Sequence, residues 1–172
     1  ADDRSPAGLT RADQGRARER LQTLSDTVLT TLRRVAAMHQ PTLGVLTQLG
    51  GADASASIRT AKALSLLVTE DEYLRLTPAS LGDVLLESVD SDELVRLHRE
   101  LADHAPSQAL RRYHLALAGD PSTTPAHLAA SARETAARGE HDLAAQLYLL
   151  AADAGTAERA EWITCCLENA VI

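Results

Sequence analysis

Residues 66–76, LLVTEDEYLRL, carry a strand-like pattern in a chain that otherwise looks helical. Two short apolar runs, Leu66-Leu67-Val68 and Tyr73-Leu74-Arg75-Leu76, flank the polar tip Thr69-Glu70-Asp71-Glu72. Apolar segments of this length on either side of a polar tip are typical of paired strands. The sequence therefore predicts a β-hairpin with a four-residue turn.

Three helices are predicted before this hairpin. An apolar stripe at helical spacing predicts the first over residues 26–39. Pro41 opens a second helix, which Gly50-Gly51 closes. Asp53 caps a third helix, which we expect to run through Leu67. Three helices followed by a hairpin are the arrangement of a winged-helix domain.

Residues 139–151, GEHDLAAQLYLLA, resemble the centre of a tetratricopeptide repeat. In that repeat a Gly separates two helices, small residues follow at fixed positions, here Ala144 and Ala151, and an aromatic lies between them, here Tyr148. Small side chains let paired helices approach closely, and the aromatic fills the space between repeats. The preceding helix matches less well, so an ordinary α-hairpin is the alternative.

The predicted fold is mainly α, with a winged-helix domain that contains the small β-hairpin, followed by tetratricopeptide-like antiparallel helical hairpins. Short loops between successive helices favour antiparallel neighbours. The predicted segments are an N-terminal leader and linker helix (1–23), the winged-helix domain (24–90), connecting helices (91–119) and the start of the repeat domain (120–172).

The composition supports a helical core, with 31 Ala and 28 Leu beside 3 Tyr, 1 Trp and no Phe. Ala and Leu favour helices, whereas strands draw on β-branched and aromatic residues, so the composition disfavours all-β and doubly wound α/β folds. No apolar run approaches the ~20 residues that span a bilayer. The start, ADDRSPAG, has neither a signal pattern nor an initiator Met. We therefore expect a cytoplasmic protein, with no membrane partner, cut from a longer chain.

The charge distribution argues against nucleic-acid binding. The net charge is −7, and residues 120–172 alone carry −5. Proteins that bind nucleic acids concentrate positive charge to displace counterions from phosphate. The predicted third helix offers only Arg59 and Lys62, and the acids of the hairpin tip would repel phosphate. We therefore favour a structural coupling role and expect no direct nucleic-acid contact.

Patterns for catalysis or metal binding are missing from the sequence. It has no Gly-x-Ser-x-Gly motif, no Gly-rich phosphate loop followed by Lys, and no pair of His at helical i, i+4 spacing. His114 is predicted to be a partly buried helix residue. The adjacent Cys165 and Cys166 point about 100° apart on a helix, which predicts two buried, inert thiols. We expect no catalytic residue, no metal site and no cofactor in this segment, and no enzyme activity.

Tyr148 and Trp162 are the candidate contact residues for a ligand or partner on the repeat region. Aromatic side chains combine large contact area with a polar group, which suits both binding and packing. Packing between helices is the more frequent use of such residues, and both alternatives stay open here.

The order of segments resembles the part that follows the ATPase core in large ATP-binding LuxR-type regulators of actinomycetes, signal-transducing ATPases related to the maltose regulator. Family features are matched by Leu97-His98-Arg99 in one helix and by His114 near the end of the next. The resemblance covers most of the chain. The matching segments are LQTLSDTVLTTLRRVAAMHQPTLGVLTQLGG, AKALSLLVTEDEYLRLTP, SDELVRLHRELADHAP and QALRRYHLALAGD.

The resemblance implies a non-catalytic regulatory segment that couples effector binding on helical repeats to a nucleotide switch. It implies an ATPase domain before residue 1, which binds ATP or ADP and is the intramolecular partner of this segment. It further implies a small-molecule or protein effector, more repeats after Ile172 and a terminal helix-turn-helix that binds promoters. The oligomeric state is left open.

One position departs from the family pattern. Thr77-Pro78 stands where family members often have His-Pro, and a neutral threonine cannot supply a cationic contact to nucleotide. The departure argues against direct nucleotide sensing by the winged helix. Two other functions stay open, a free-standing helical adaptor for a basic protein partner and a small winged-helix DNA-binding regulator.

Overall fold

The computed structural model describes residues 11–154 and 159–170. Within these ranges the chain forms nine α-helices and one two-stranded antiparallel sheet. The chain divides into two compact units, the first ending at Ser91 and the second beginning at Asp92. A mainly helical fold with one small sheet is therefore confirmed.

The first unit contains four helices and both strands. In chain order these are α1 (Arg11–Gln22), α2 (Asp26–Ala37), α3 (Leu43–Ala63), β1 (Leu67–Glu70), β2 (Tyr73–Leu76) and α4 (Leu81–Glu87). Helix α3 is kinked at Gly51, where φ is 56° and ψ is −139°. A positive φ costs glycine little, so the chain can bend there. The predicted second and third helices are thus the two halves of one kinked element, and the third ends at Ala63 and not at Leu67.

The predicted hairpin is present with a shorter loop. Strands β1 and β2 pair antiparallel, with Leu67 opposite Leu76 and Glu70 opposite Tyr73. The loop therefore has two residues in place of the predicted four, because Thr69 and Glu70 extend β1. Asp71 takes a φ of 55°, and a positive φ at the first loop residue suits two-residue hairpin turns.

The core of the first unit is built from aliphatic side chains on all of its helices and both strands. Its fully buried members include Leu32 on α2, Leu46 on α3 and Leu85 on α4. Leu21 on α1 is also buried in this core, and α1 packs against α4. The residues expected as a leader thus contribute a packed helix to this unit.

The second unit is entirely helical over its described residues. Its elements are α5 (Ser91–Asp103), α6 (Gln108–Leu117), α7 (Pro125–Ala137), α8 (His141–Asp153) and α9 (Arg159–Ala170). Side-chain oxygens cap two of these helices, because Ser107 accepts from the Leu110 amide at 3.2 Å and Thr124 accepts from the His127 amide at 3.3 Å. Helix α6 packs against α7 and α8, so part of the predicted connecting segment belongs to this core.

Small residues lie where α7, α8 and α9 pack together. Ala132 on α7 and both Ala144 and Ala151 on α8 are completely buried. Alanine at these positions brings neighbouring helices close, so that larger side chains beside them interdigitate. Gly139 separates α7 from α8 with a φ of 82°, which ends α7 in the left-handed conformation that favours glycine.

Candidate functional site

The hairpin loop carries an acidic tip, defined as Glu70, Asp71 and Glu72, and all three residues are exposed. Arg75 Nε lies 2.9 Å from Glu70 Oε2, with both side chains more than half exposed. An exposed ion pair of this kind contributes little to stability. Its electrostatic effect is to offset one of the three negative charges, so the tip remains acidic.

Few cations accompany this tip on the adjacent helix. Arg59 and Lys62 are exposed on the second half of α3. Phosphate contacts draw mainly on Arg and Lys, and each contact releases counterions from the nucleic acid. The acidic tip repels phosphate, and the two exposed cations of the adjacent helix offer few contacts to it. The electrostatics of this region are therefore unfavourable for binding nucleic acid.

A pair of buried imidazoles lies between α5 and α6. The Nδ1 atoms of His98 and His114 are 3.2 Å apart, and the two rings stack with centroids separated by 5.4 Å. Both residues are buried, at 5 % and 4 % exposure. The edge of the Tyr113 ring completes the cluster, 5.1 Å from His114.

The hydrogen bond within this pair requires one proton between the two Nδ1 atoms. One ring must donate through Nδ1 and the other must accept, so the neutral pair consists of two different tautomers. Burial lowers the pKa of His98 below its usual value, because a charged imidazole is poorly solvated inside the protein. Protonating both rings would remove the acceptor and place two positive charges side by side.

The histidine pair should therefore make the free energy of unfolding depend on pH. A lowered pKa in the folded state means that the unfolded chain binds the proton more readily. The contribution of the pair is complete above pH ~6.5, the usual pKa of His, and declines as the pH falls through the lowered folded-state pKa. Urea unfolding between pH 5 and 8 should show a pair contribution that is constant above pH ~6.5 and, below it, a loss of up to about 1.4 kcal/mol per pH unit for the His98 proton.

A matched pair of variants isolates this effect. His98→Gln keeps a hydrogen-bonding side chain opposite His114 but cannot titrate, so its stability should depend less on pH than that of the unmodified protein. His127→Gln removes an exposed histidine and should leave the pH dependence unchanged. Equal pH slopes for the unmodified protein and His98→Gln would exclude the buried pair as the source.

Both sequence candidates for a contact surface lie in the interior. Tyr148 is 4 % exposed and Trp162 is 6 % exposed, and both belong to the core of the second unit. Of the two alternatives left open by the sequence, the burial of both side chains favours packing between helices over contact with a ligand or partner. Tyr148 falls on the face of α8 that packs into this core, and Trp162 falls on the face of α9 that packs into the same core. Their role here is packing between helices.

The two cysteines are less buried than expected. Cys165 and Cys166 are free thiols of intermediate exposure at the edge of the same core. Near them, the amide of Asn169 donates to the Cys165 carbonyl at 2.8 Å, and Asn169 Oδ1 lies 3.0 Å from His141 Nδ1. The second of these contacts joins the beginning of α8 to the end of α9.

No family model, curated protein or solved structure matches this chain. Over residues 11–154 and 159–170, no group of three or more His, Cys, Asp or Glu side chains is placed to hold a metal ion. In the same ranges no helix has both the length and the apolar character needed to cross a bilayer.

Sequence reasoning missed the histidine pair because His98 was compared only with its neighbours along the chain. The two partners are 16 residues apart and meet through separate helices. A signal was present, since His98 occupies the apolar stripe of α5, three residues before the buried Leu101. A polar residue inside a buried stripe requires a partner, which a search of the next helix could have supplied.

Proposed function

We propose that this chain is a non-catalytic relay segment of a large ATP-binding LuxR-type transcriptional regulator. In this function, effector binding on a helical repeat region is coupled to a nucleotide switch in an ATPase domain. The observation that carries the proposal is the order of elements. Helix α2 and the two halves of the kinked α3 precede the β-hairpin, and the consecutive helices α7 and α8 follow in the second unit. This is the order expected of a winged helix followed by tetratricopeptide-like repeats.

The charge distribution of the first unit supports a coupling role for this unit in preference to a DNA-binding role. In a DNA-reading winged helix, the third helix and the hairpin loop approach phosphate and need positive charge. Here the loop consists of exposed acids, and the second half of α3 presents Arg59 and Lys62. A winged helix with this charge suits contact with another protein surface.

The packing of the second unit supports a transmitting role. Closely packed helices repack by small sliding movements when a ligand favours one arrangement. Ala144 and Ala151 are completely buried on α8, which contacts α7 on one side and α9 on the other. A shift of α8 would therefore change both of its neighbours, which is the mechanical requirement for a relay.

The complete gene product provides the test. We expect its reading frame to encode a phosphate-loop ATPase domain before this segment and a helix-turn-helix after it. In that protein, Arg59→Gln combined with Lys62→Gln should leave promoter affinity unchanged within about twofold, because promoter binding resides in another domain. A gel-shift titration at fixed salt measures this affinity.

The possible results separate the competing functions. A reading frame without the two flanking domains would overturn the relay proposal. A large loss of promoter affinity in the double variant, with a reduced salt dependence, would identify the first unit as the DNA-binding element. Neutralising the exposed Asp53 as Asp53→Asn on the same helix serves as the control for a nonspecific effect of surface substitution.

A protein-binding adaptor is the second candidate, favoured by an apolar surface on α9. Ile163 and Leu167 are 38 % and 61 % exposed and lie one turn apart on this helix. The acidic charge of residues 120–172 would complement a basic partner. Under this function, Ile163→Gln with Leu167→Gln should abolish partner binding while inducer-dependent promoter activation, if the full protein has any, stays unchanged.

A further inference from the structure

We propose that the first unit binds a small carboxylate with an apolar body in a crevice between α1, α2 and α4. The crevice has a volume of about 260 Å³. Its lining includes Arg18, Leu21, Leu29, Arg33, Val84 and Ser88. The site belongs to a single unit and does not depend on the proposed relay function.

Each of the three helices contributes a polar–apolar pair of side chains to the crevice, and α1 adds a second polar residue, Gln22. The pairs are spaced three or four residues apart, which places both members on one helix face. They are Arg18 with Leu21 on α1, Leu29 with Arg33 on α2, and Val84 with Ser88 on α4. The lining is therefore amphipathic on every side.

The polar side chains gather at one end. Arg18 Nη2 lies 3.3 Å from Glu87 Oε2, and Arg33 Nη2 lies 3.5 Å from Ser88 Oγ. Because Glu87 and Ser88 are consecutive at the end of α4, both guanidinium groups approach the same helix end.

The apolar side chains form the floor of the crevice. Leu21 and Val84 are buried and Leu29 is half-buried, and all three belong to or pack against the core of the first unit. An apolar floor beside two cations matches a ligand with a hydrocarbon body and one negative group.

A carboxylate fits the Arg18 guanidinium better than its present contact with Glu87 does. Charge-assisted hydrogen bonds from Arg to a carboxylate are ~2.7–2.9 Å long, shorter than the contact from Arg18 to Glu87. Both side chains of that ion pair are 58 % exposed, so the pair contributes little to stability. Replacing Glu87 by a ligand carboxylate as the partner of Arg18 therefore costs little free energy. The planar guanidinium matches the two oxygens of a carboxylate in a forked geometry.

The size of the crevice limits the occupant to a small molecule. A cavity of about 150 Å³ holds benzene, so 260 Å³ accommodates a single ring or a chain of about eight carbons. A protein segment would require a much larger surface. The chemical class is therefore a free monocarboxylate with a medium-length alkyl or a single-ring aryl body.

Calorimetric titration of the 172-residue chain with octanoate tests the proposal. A ligand of this size and chemistry should bind with a dissociation constant on the order of 1 mM or below. Octanol and octyltrimethylammonium have the same hydrocarbon chain with a neutral or a cationic head. Both should bind at least about tenfold more weakly, since the octanol hydroxyl accepts from arginine without the attraction between opposite charges and the quaternary ammonium cannot accept at all. Absence of saturable octanoate binding, or equal binding of the three probes, would overturn the proposal.

Variants locate the binding. Arg33→Gln should weaken octanoate binding about tenfold, whereas Arg59→Gln, which removes an exposed arginine of α3 outside the crevice, should not. Glu87→Gln removes the competing carboxylate and should tighten binding, a gain that misfolding cannot produce. Equal effects of the two arginine variants, or unchanged or weaker binding by Glu87→Gln, would show that octanoate binds elsewhere.

Discussion

Replacing Trp162 with alanine is expected to lower the free energy of unfolding by about 3–5 kcal/mol. The indole is 6 % exposed and belongs to the core of the second unit, together with Leu147 and Tyr148. Its removal would leave a large cavity between helices, and the surrounding side chains would fill that cavity only in part. Urea unfolding followed by circular dichroism at 222 nm measures the change. Tryptophan fluorescence cannot be used for the comparison, because the variant lacks the chain's one tryptophan.

The neighbouring residue provides the control for Trp162. Ile163→Ala removes a side chain that is 38 % exposed on the same helix, and it should cost less than about 1.5 kcal/mol. If Trp162 were instead a contact residue for a ligand, Trp162→Ala would weaken binding with little loss of stability. A loss below that of Ile163→Ala would contradict the packing role.

Leu32→Ala is expected to cost about 2–5 kcal/mol in the first unit. Leu32 is completely buried on α2, where it belongs to a core shared with α3, α4 and both strands. Truncating its side chain removes apolar contacts to several elements at once and leaves a cavity. The same unfolding experiment should show a lower midpoint with an unchanged slope, since the surface exposed on unfolding stays nearly the same.

An exposed leucine on the next helix is the matched control. Leu43 is 52 % exposed at the start of α3, so Leu43→Ala should change stability by less than about 1 kcal/mol. Equal losses in the two leucine variants would mean that Leu32 is not a core residue. A change in slope for Leu32→Ala would instead indicate that it alters the compactness of the unfolded or the folded state.

Local signals predicted most of the secondary structure. Helix breaks such as Gly139 and apolar periodicity such as that of α2 act over a few residues, so they can be read directly from the sequence. The predictions fail where two kinds of local structure compete for the same residues. The helix predicted through Leu67 ends at Ala63, since Leu67 pairs with Leu76 in the hairpin, and strand pairing extends β1 into the predicted turn.

The candidate sites were predicted less well than the elements. For Tyr148 and Trp162 the sequence left contact with a ligand and packing between helices as alternatives, and both side chains are buried. Whether an aromatic residue on an amphipathic helix points inward or outward depends on how the helix is rotated about its axis. The spacing of apolar residues gives this orientation only approximately. The LuxR-type resemblance, the winged helix and the tetratricopeptide-like repeats stay predictions that the reading frame of the full gene can test.

The sequence by itself determined a mainly helical chain with one hairpin, an acidic loop, and a helical pair packed through alanines, because composition, caps and spacing are local or cumulative properties. The tertiary structure alone decided that His98 meets His114 across 16 residues. It also decided that Arg18 and Arg33 gather at the end of α4 above an apolar floor. These juxtapositions depend on how helices approach each other in space, and side chains that are distant in sequence acquire shared burial and shared charge only through that packing.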